Sequence, residues 1–163
     1  MVRVPTFYRF RNDEEGAALV EFAIILPMML LVFAMAIESG RTFWAYQTTI
    51  AGVRDATRYI GRSVDRDICR DGGSLDGWTS KVTDIVRNAS NGSALYPDTI
   101  TVASVTPTLD CVTGGYRRGT VSVATVEARL QIEYPFSGLF AFVGVSLPAI
   151  DTVVSDSGRI FGA

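Results

Sequence analysis

The chain is 163 residues long, enough for one small domain and an appendage, with 15 basic and 17 acidic side chains and no histidine. Its formal charge of −2 arises within the first 38 residues, where three arginines face five acids; from Ser39 onward twelve bases and twelve acids cancel. No basic field is left to attract nucleic acid, and the commonest metal ligand and general base is missing.

Residues 1–16 read as a short polar leader, with Arg3, Arg9 and Arg11 ahead of the acidic run Asp13–Glu15. Ala17 to Ile37 follows, 21 residues with Glu21 as the one charge. At ~1.5 Å per residue that run is ~31 Å, the thickness of a bilayer's hydrocarbon core, and predicts a single membrane-spanning helix. Trp44 and Tyr46 lie just past its end, where an interfacial aromatic belt would sit. Three leader arginines against Arg41 and Arg54 lean toward a cytoplasmic N-terminus by the positive-inside rule.

The helical pattern continues over residues 38–64. Phe43, Tyr46, Ile50, Val53, Thr57, Ile60 and Val64 alternate spacings of three and four, an amphipathic stripe with no proline to interrupt it. Arg54, Arg58 and Arg62 recur every fourth residue on this half. They form either a solvated face relieved by neighbours such as Asp55, or a stripe that pairs with carboxylates of another subunit.

Residues 65–163 have a different character and predict a small α+β domain. Asp67 to Gly77 is a turn-rich loop; Leu75, Trp78, Val82, Ile85, Val86 and Ala89 then mark a short helix, with Asn91 or Gly92 as its stop. Thr99–Thr106 is rich in β-branched residues, and the turn-like Thr113–Gly119 leads into a strand from Thr120 to Tyr134. Within that strand Val126, Ala128, Leu130, Ile132 and Tyr134 alternate with polar residues, as in an antiparallel sheet with one wet face. Val121 and Val123 fall on the opposite parity, which predicts a bulge near Ala124. Phe136–Leu147 is apolar but only 12 residues long, too short for a second span. It reads as a buried loop or short helix with a role in subunit contact. A last short strand is expected near Ile150–Val154.

Two cysteines, Cys69 and Cys111, lie beyond the apolar run and are too few for a zinc site. If this part is exported, a disulfide closing a loop of roughly 40 residues is the natural reading; in a reducing compartment both would be buried thiols. No histidine, phosphate-binding glycine loop or carboxylate cluster marks an active site. Asp65, Asp67 and Asp71 are interleaved with arginines, which argues against calcium. The expectation is a non-enzyme with no metal and no cofactor.

In "GAALVEFAIILPMMLL" a glycine and four apolar residues precede Glu21 and Phe22, and Pro27 follows. This stretch resembles the N-terminus of type IV prepilins. With Ser39–Arg41 and the helix up to Tyr59, it more specifically resembles the TadE-like family, minor pilins or pseudopilins of the tight-adherence (Flp-type) pilus. The likeness covers about Gly16 to Ile60; beyond it only the general, pilin-like layout is shared. It implies cleavage by a prepilin peptidase between Gly16 and Ala17, which makes Glu21 the fifth residue of the mature chain. It further implies that Glu21 pairs with the new amine of a neighbouring subunit. The partners implied are that peptidase, other pilin-like subunits, the Tad assembly machinery and the lipid bilayer. The location implied is the bacterial inner membrane, single-pass, with the C-terminal domain on the extracytoplasmic side or built into a surface pilus.

An acid at the centre of a spanning helix costs ~2.5–3.5 kcal/mol on insertion scales, and less near an end. Pairing with a neighbour's amine would offset that cost and fix axial register. Yet Phe22 to Gly40 alone is 19 residues, about 28 Å, so the position of Glu21 at the interface is equally compatible with its charge. Pro27 removes a backbone hydrogen bond and predicts a kink or a tolerated irregularity. Two other readings stay open. One is a secreted domain whose signal peptide is cleaved after Ala36, at the small-residue motif Ala34–Ala36. The other is a membrane-anchored enzyme or binding domain.

Overall fold

The computed structural model describes residues 14–116 and 119–162. The leader arginines Arg3, Arg9 and Arg11 and the hairpin arginines Arg117 and Arg118 lie outside them. The first element is one α-helix, α1, Glu14–Ser63, 50 residues long. At ~1.5 Å per residue it extends ~75 Å. It runs through Pro27 without interruption. Its end is set by local chemistry: Val64 still donates to Ile60 O at 3.0 Å, after which the Asp65 carboxylate accepts the N–H of Asp67 at 2.9 Å and turns the chain.

The two halves of α1 have opposite surroundings. From Gly16 to Leu30 every residue is exposed, whereas Ala45, Val53, Ala56, Ile60 and Val64 are buried in the core of the C-terminal domain. Thr49 and Thr57 also face inward, and each hydroxyl donates to the carbonyl four residues back, Ala45 O at 2.8 Å and Val53 O at 2.9 Å. Buried hydroxyls are thereby satisfied within the helix. The amphipathic continuation is confirmed, with one correction. Phe43 is 66% exposed and drops out of the stripe, which joins the main core from Ala45 and Tyr46 onward.

A 3-10 turn, Asp76–Trp78, leads into α2, Thr79–Arg87, which buries Val82 and Val86. The approach of α2 to α1 is close because position 52 has no side chain; a Cβ there would stand 3.2 Å from the Cα of Val86. The helix stops earlier than the expected Asn91 or Gly92: its cap is Asn88, in extended conformation, and Gly92 at φ +81° instead turns the chain beyond it, where Asn88 pairs with Ala94.

Three strands follow, β1 Ile100–Tyr116, β2 Gly119–Ile132 and β3 Ile150–Arg159, as an antiparallel meander in the order β1-β2-β3. The central strand β2 buries Ser122, Ala124, Val126, Ala128, Leu130 and Ile132 on the face that meets α1, while α2 packs on β1. The outer strands are longer than expected. β1 continues past Pro107, which an edge strand tolerates because that residue owes no hydrogen bond to a second neighbour.

The expected bulge near Ala124 is absent. Pairing with β1 is continuous there, and Ser122 takes the inward position, donating its hydroxyl to Arg66 O at 2.9 Å. Val121 and Val123 simply fall on the outer face. Register shifts lie instead in β1, between Thr113 and Tyr116 by the hairpin end and between Val102 and Ser104. The Arg87 guanidinium donates to the carbonyls of Val102 and Ala103 at that point, satisfying acceptors the ladder leaves over.

The apolar stretch after β2 forms a short helix, α3, Ser137–Phe142, and a loop through Gly144 at φ +82°. Its expected burial is not observed. Phe140 is buried, but Phe142, Val143 and Val145 are exposed. Cys69 and Cys111 are joined by a disulfide, with Cα atoms 5.7 Å apart, tying the loop after α1 to the far part of β1. At the other end of the chain, Phe161 donates to Gly61 O at 2.8 Å, returning the C-terminal segment to the end of α1.

Candidate functional site

Gly16 and Ala17 lie in the first turn of α1, exposed, with open space around the Gly16 Cα. Backbone N–H groups in a first turn have no partner within the helix, so this peptide bond is less restrained than those in the helix interior. Glu21 stands one turn further on, with no hydrogen bond or ion pair among the described residues. Its surroundings are apolar and outward-facing: Leu19, Val20, Phe22 and Ile24 are each more than half exposed. A carboxylate in that setting is either solvated by water or paired with a cation from outside its own stretch of helix.

The apolar half of α1 is long and oily enough to cross a membrane, and only 6% of its most apolar window is buried within the protein. A core helix of a soluble protein would be mostly covered. This helix is therefore consistent with a single-pass membrane anchor.

Where that half meets the domain, the structure builds a polar lock. Glu38 is 5% exposed. One carboxylate oxygen accepts from Arg41 Nη1 at 2.8 Å and the other from the backbone N–H of Phe136 at 2.9 Å. A second nitrogen of the Arg41 guanidinium donates to the Thr99 hydroxyl, just ahead of β1. The Thr42 hydroxyl donates to the Glu38 carbonyl at 2.8 Å. The helix, the start of β1 and the segment leading into α3 are thus fixed by one ion pair and its hydrogen bonds. Beside it an apolar groove of about 570 Å³ runs between α1 and α3, lined by Met35, Phe43, Tyr134, Phe140 and Leu147 among others.

The two belt aromatics are engaged with the domain. The Tyr46 hydroxyl is hydrogen-bonded to that of Thr152. Trp44 meets Tyr96 edge-to-face at 6.3 Å between ring centroids, with its own ring still half exposed. Tyr96 in turn bonds the Thr49 hydroxyl at 3.0 Å, and burial pushes its phenol above the ordinary value against the opposing effect of Thr49.

Arg54, Arg58 and Arg62 form an exposed row, and Arg58 lies 3.8 Å from the equally exposed Asp55. A pair so open to solvent contributes little to stability. The aspartates of the Asp65–Asp71 turn have arginine neighbours as well: Asp67 stands 3.7 Å from Arg70 and 4.0 Å from Arg66.

Sequence reasoning singled out Gly16, Ala17, Glu21, Phe22, Pro27 and the cysteine pair, and passed over Glu38. The structure does not bring the first group into contact with the domain; it joins only the cysteines. The signal for Glu38 was present: an acid directly after the apolar run, with a base three residues on, at helical pairing distance.

The family model described as TadE-like protein matches residues 16–58. The match takes in the uncovered apolar half of α1, the lock residues Glu38 and Arg41, and part of the packed half, and bears out the resemblance over that stretch. No curated protein and no solved structure matches the chain.

Proposed function

We propose, on the premise that α1 is a TadE-like helix, that the chain is a minor pilin or pseudopilin acting in assembly of a Tad pilus. The observation that carries this reading is where the match begins. It starts at Gly16, the residue after which a prepilin peptidase would cut, and continues through an apolar helix that the protein itself leaves uncovered. In this reading residues 1–16 are a cytoplasmic leader, α1 holds the precursor in the inner membrane, and the C-terminal domain lies on the extracytoplasmic side. The Cys69–Cys111 disulfide supports that orientation, because such bonds persist in oxidising compartments.

The work is structural. Cleavage frees an amine at Ala17, and Glu21 of one subunit takes the amine of its neighbour as subunits pack side by side. Leaving that carboxylate unpaired in lipid is costly, so pairing favours one axial register over slipped ones. Pro27 gives the helix a point where a backbone carbonyl lacks its donor, letting the helix bend as it packs. The experiment is complementation. Cells lacking this chain are expected to lose pili, wild-type chain to restore them, and Glu21→Ala to be made and processed without restoring them. Full piliation without the chain would overturn the reading.

A further inference from the structure

We infer that α3 and the loop after it form a second contact with the bilayer, lying in the headgroup and acyl boundary beside the exit of α1. The inference rests on α1 being a membrane anchor. Three independent features of the Phe136–Leu147 segment lead to it.

The first is its level. Glu38 is the first residue after the apolar run, and it accepts the N–H of Phe136, so the segment starts at the height where α1 leaves the membrane. Packing continues below that height. Ala34, one turn to the membrane side of Glu38, is 3% exposed, whereas its neighbours Phe33 and Met35 are 59% and 60% exposed. The groove beside it pairs Met35 with Phe140 and Leu147 of the segment. Protein thus covers one face of α1 within the apolar run itself.

The second feature is its chemistry. No charged residue occurs from Tyr134 to Ile150. The tip carries Phe142 at 86% exposure, with Val143 and Val145 close to half exposed. A contiguous apolar tip of this kind is unfavourable in water and favourable in an acyl boundary about 5–10 Å deep.

The third feature decides between lipid and a partner strand. The tip's backbone donors are already used: Val143 N–H donates to Phe140 O at 3.1 Å, Gly144 N–H to Ala141 O at 3.0 Å, and Val145 N–H to Phe140 O at 3.0 Å. Lipid supplies no hydrogen bonds, so a segment entering it must satisfy its amides internally. The carboxylate that the segment bonds, Glu38, is itself paired with Arg41 at 2.8 Å. With α1 and this tip both held, the domain has two points of attachment, which limits its rotation about the helix axis and sets the face it offers to other subunits.

The full chain, reconstituted in phosphatidylcholine–phosphatidylglycerol vesicles, tests this with added tryptophans and lipids brominated at a shallow or a deep acyl position. Phe142→Trp is expected to emit blue-shifted light and lose most of that added emission to the shallow bromines. Thr108→Trp, on exposed β1, is expected to be unaffected. Water-like, unquenched emission from Phe142→Trp would overturn the inference. Blue-shifted emission that bromines do not quench would overturn it too, because the tip would then be covered by a second copy. Met29→Trp separates the underlying reading: quenching there by deep bromines with none at position 142 defeats this inference alone, and no quenching at position 29 defeats the anchor.

Discussion

Glu38 accepts a hydrogen bond from the backbone amide of Phe136, 98 residues further along the chain, at 2.9 Å. The same carboxylate is paired with Arg41 at 2.8 Å, and it is nearly sealed from solvent. Truncation by Glu38→Ala removes the acceptor from both donors, and an orphaned buried donor costs about 1–3 kcal/mol. Glu38→Gln retains an acceptor for Phe136 and loses only the charge. Urea unfolding of the full chain in detergent micelles is expected to rank wild type above Gln and Gln above Ala. Equal midpoints for all three would mean the lock contributes nothing.

The disulfide ties the turn after α1 to edge strand β1, closing a loop of 42 residues' separation. In the chain-entropy picture such a crosslink contributes about 3–4 kcal/mol. Cys69→Ser with Cys111→Ser should therefore unfold at markedly lower denaturant than wild type. Alkylation of protein from intact cells should find neither thiol reactive until reductant is added.

Much of this architecture is readable from residue pattern, and the exceptions share one cause. The apolar run, the stripe from Tyr46 to Val64 and the alternation from Val126 to Ile132 each repeat with the period of their element, and periodicity is a local property. The bulge was misplaced because two valines of the wrong parity signalled a shift in β2. What decides the inward position there is Ser122, through its bond to Arg66 O, a tertiary contact. Pro107 made β1 look shorter than it is, since whether a proline is tolerated depends on the strand being at an edge. Glu38 and Phe136 were unreadable as a pair for the same reason. The exposure of Phe142 and Val143 was missed because an apolar segment in a soluble context is expected to be covered.

Helix contact sets a size limit at Gly52. A Cβ there already meets Val86 backbone at 3.2 Å, and backbone cannot swing aside as a side-chain tip can. Gly52→Leu should force α2 away from α1 and destabilise the domain by about 1–3 kcal/mol, the usual cost of overpacking. Gly40→Leu, where nothing stands within 4 Å, is the matched control and should melt with wild type.

Alkali should weaken the fold at Tyr96. Burial raises its phenol above the ordinary 10.0, so the folded state holds this proton more tightly than the unfolded chain does. Stability from that difference is complete below the ordinary value and is lost as pH rises through the raised one. Tyr96→Phe should show a shallower loss of stability above pH 10.0 than wild type, measured by unfolding midpoints across that range.

The central claim is that Glu21 acts in a mature chain that begins just before it. Mass spectrometry of the N-terminal peptide, from protein made in cells that hold the pilus machinery, tests it directly. The account predicts Ala17 as the first residue, with Gly16→Ala accumulating as uncut precursor. A mature chain beginning at Ile37, or one that keeps Met1 in those cells, would contradict it.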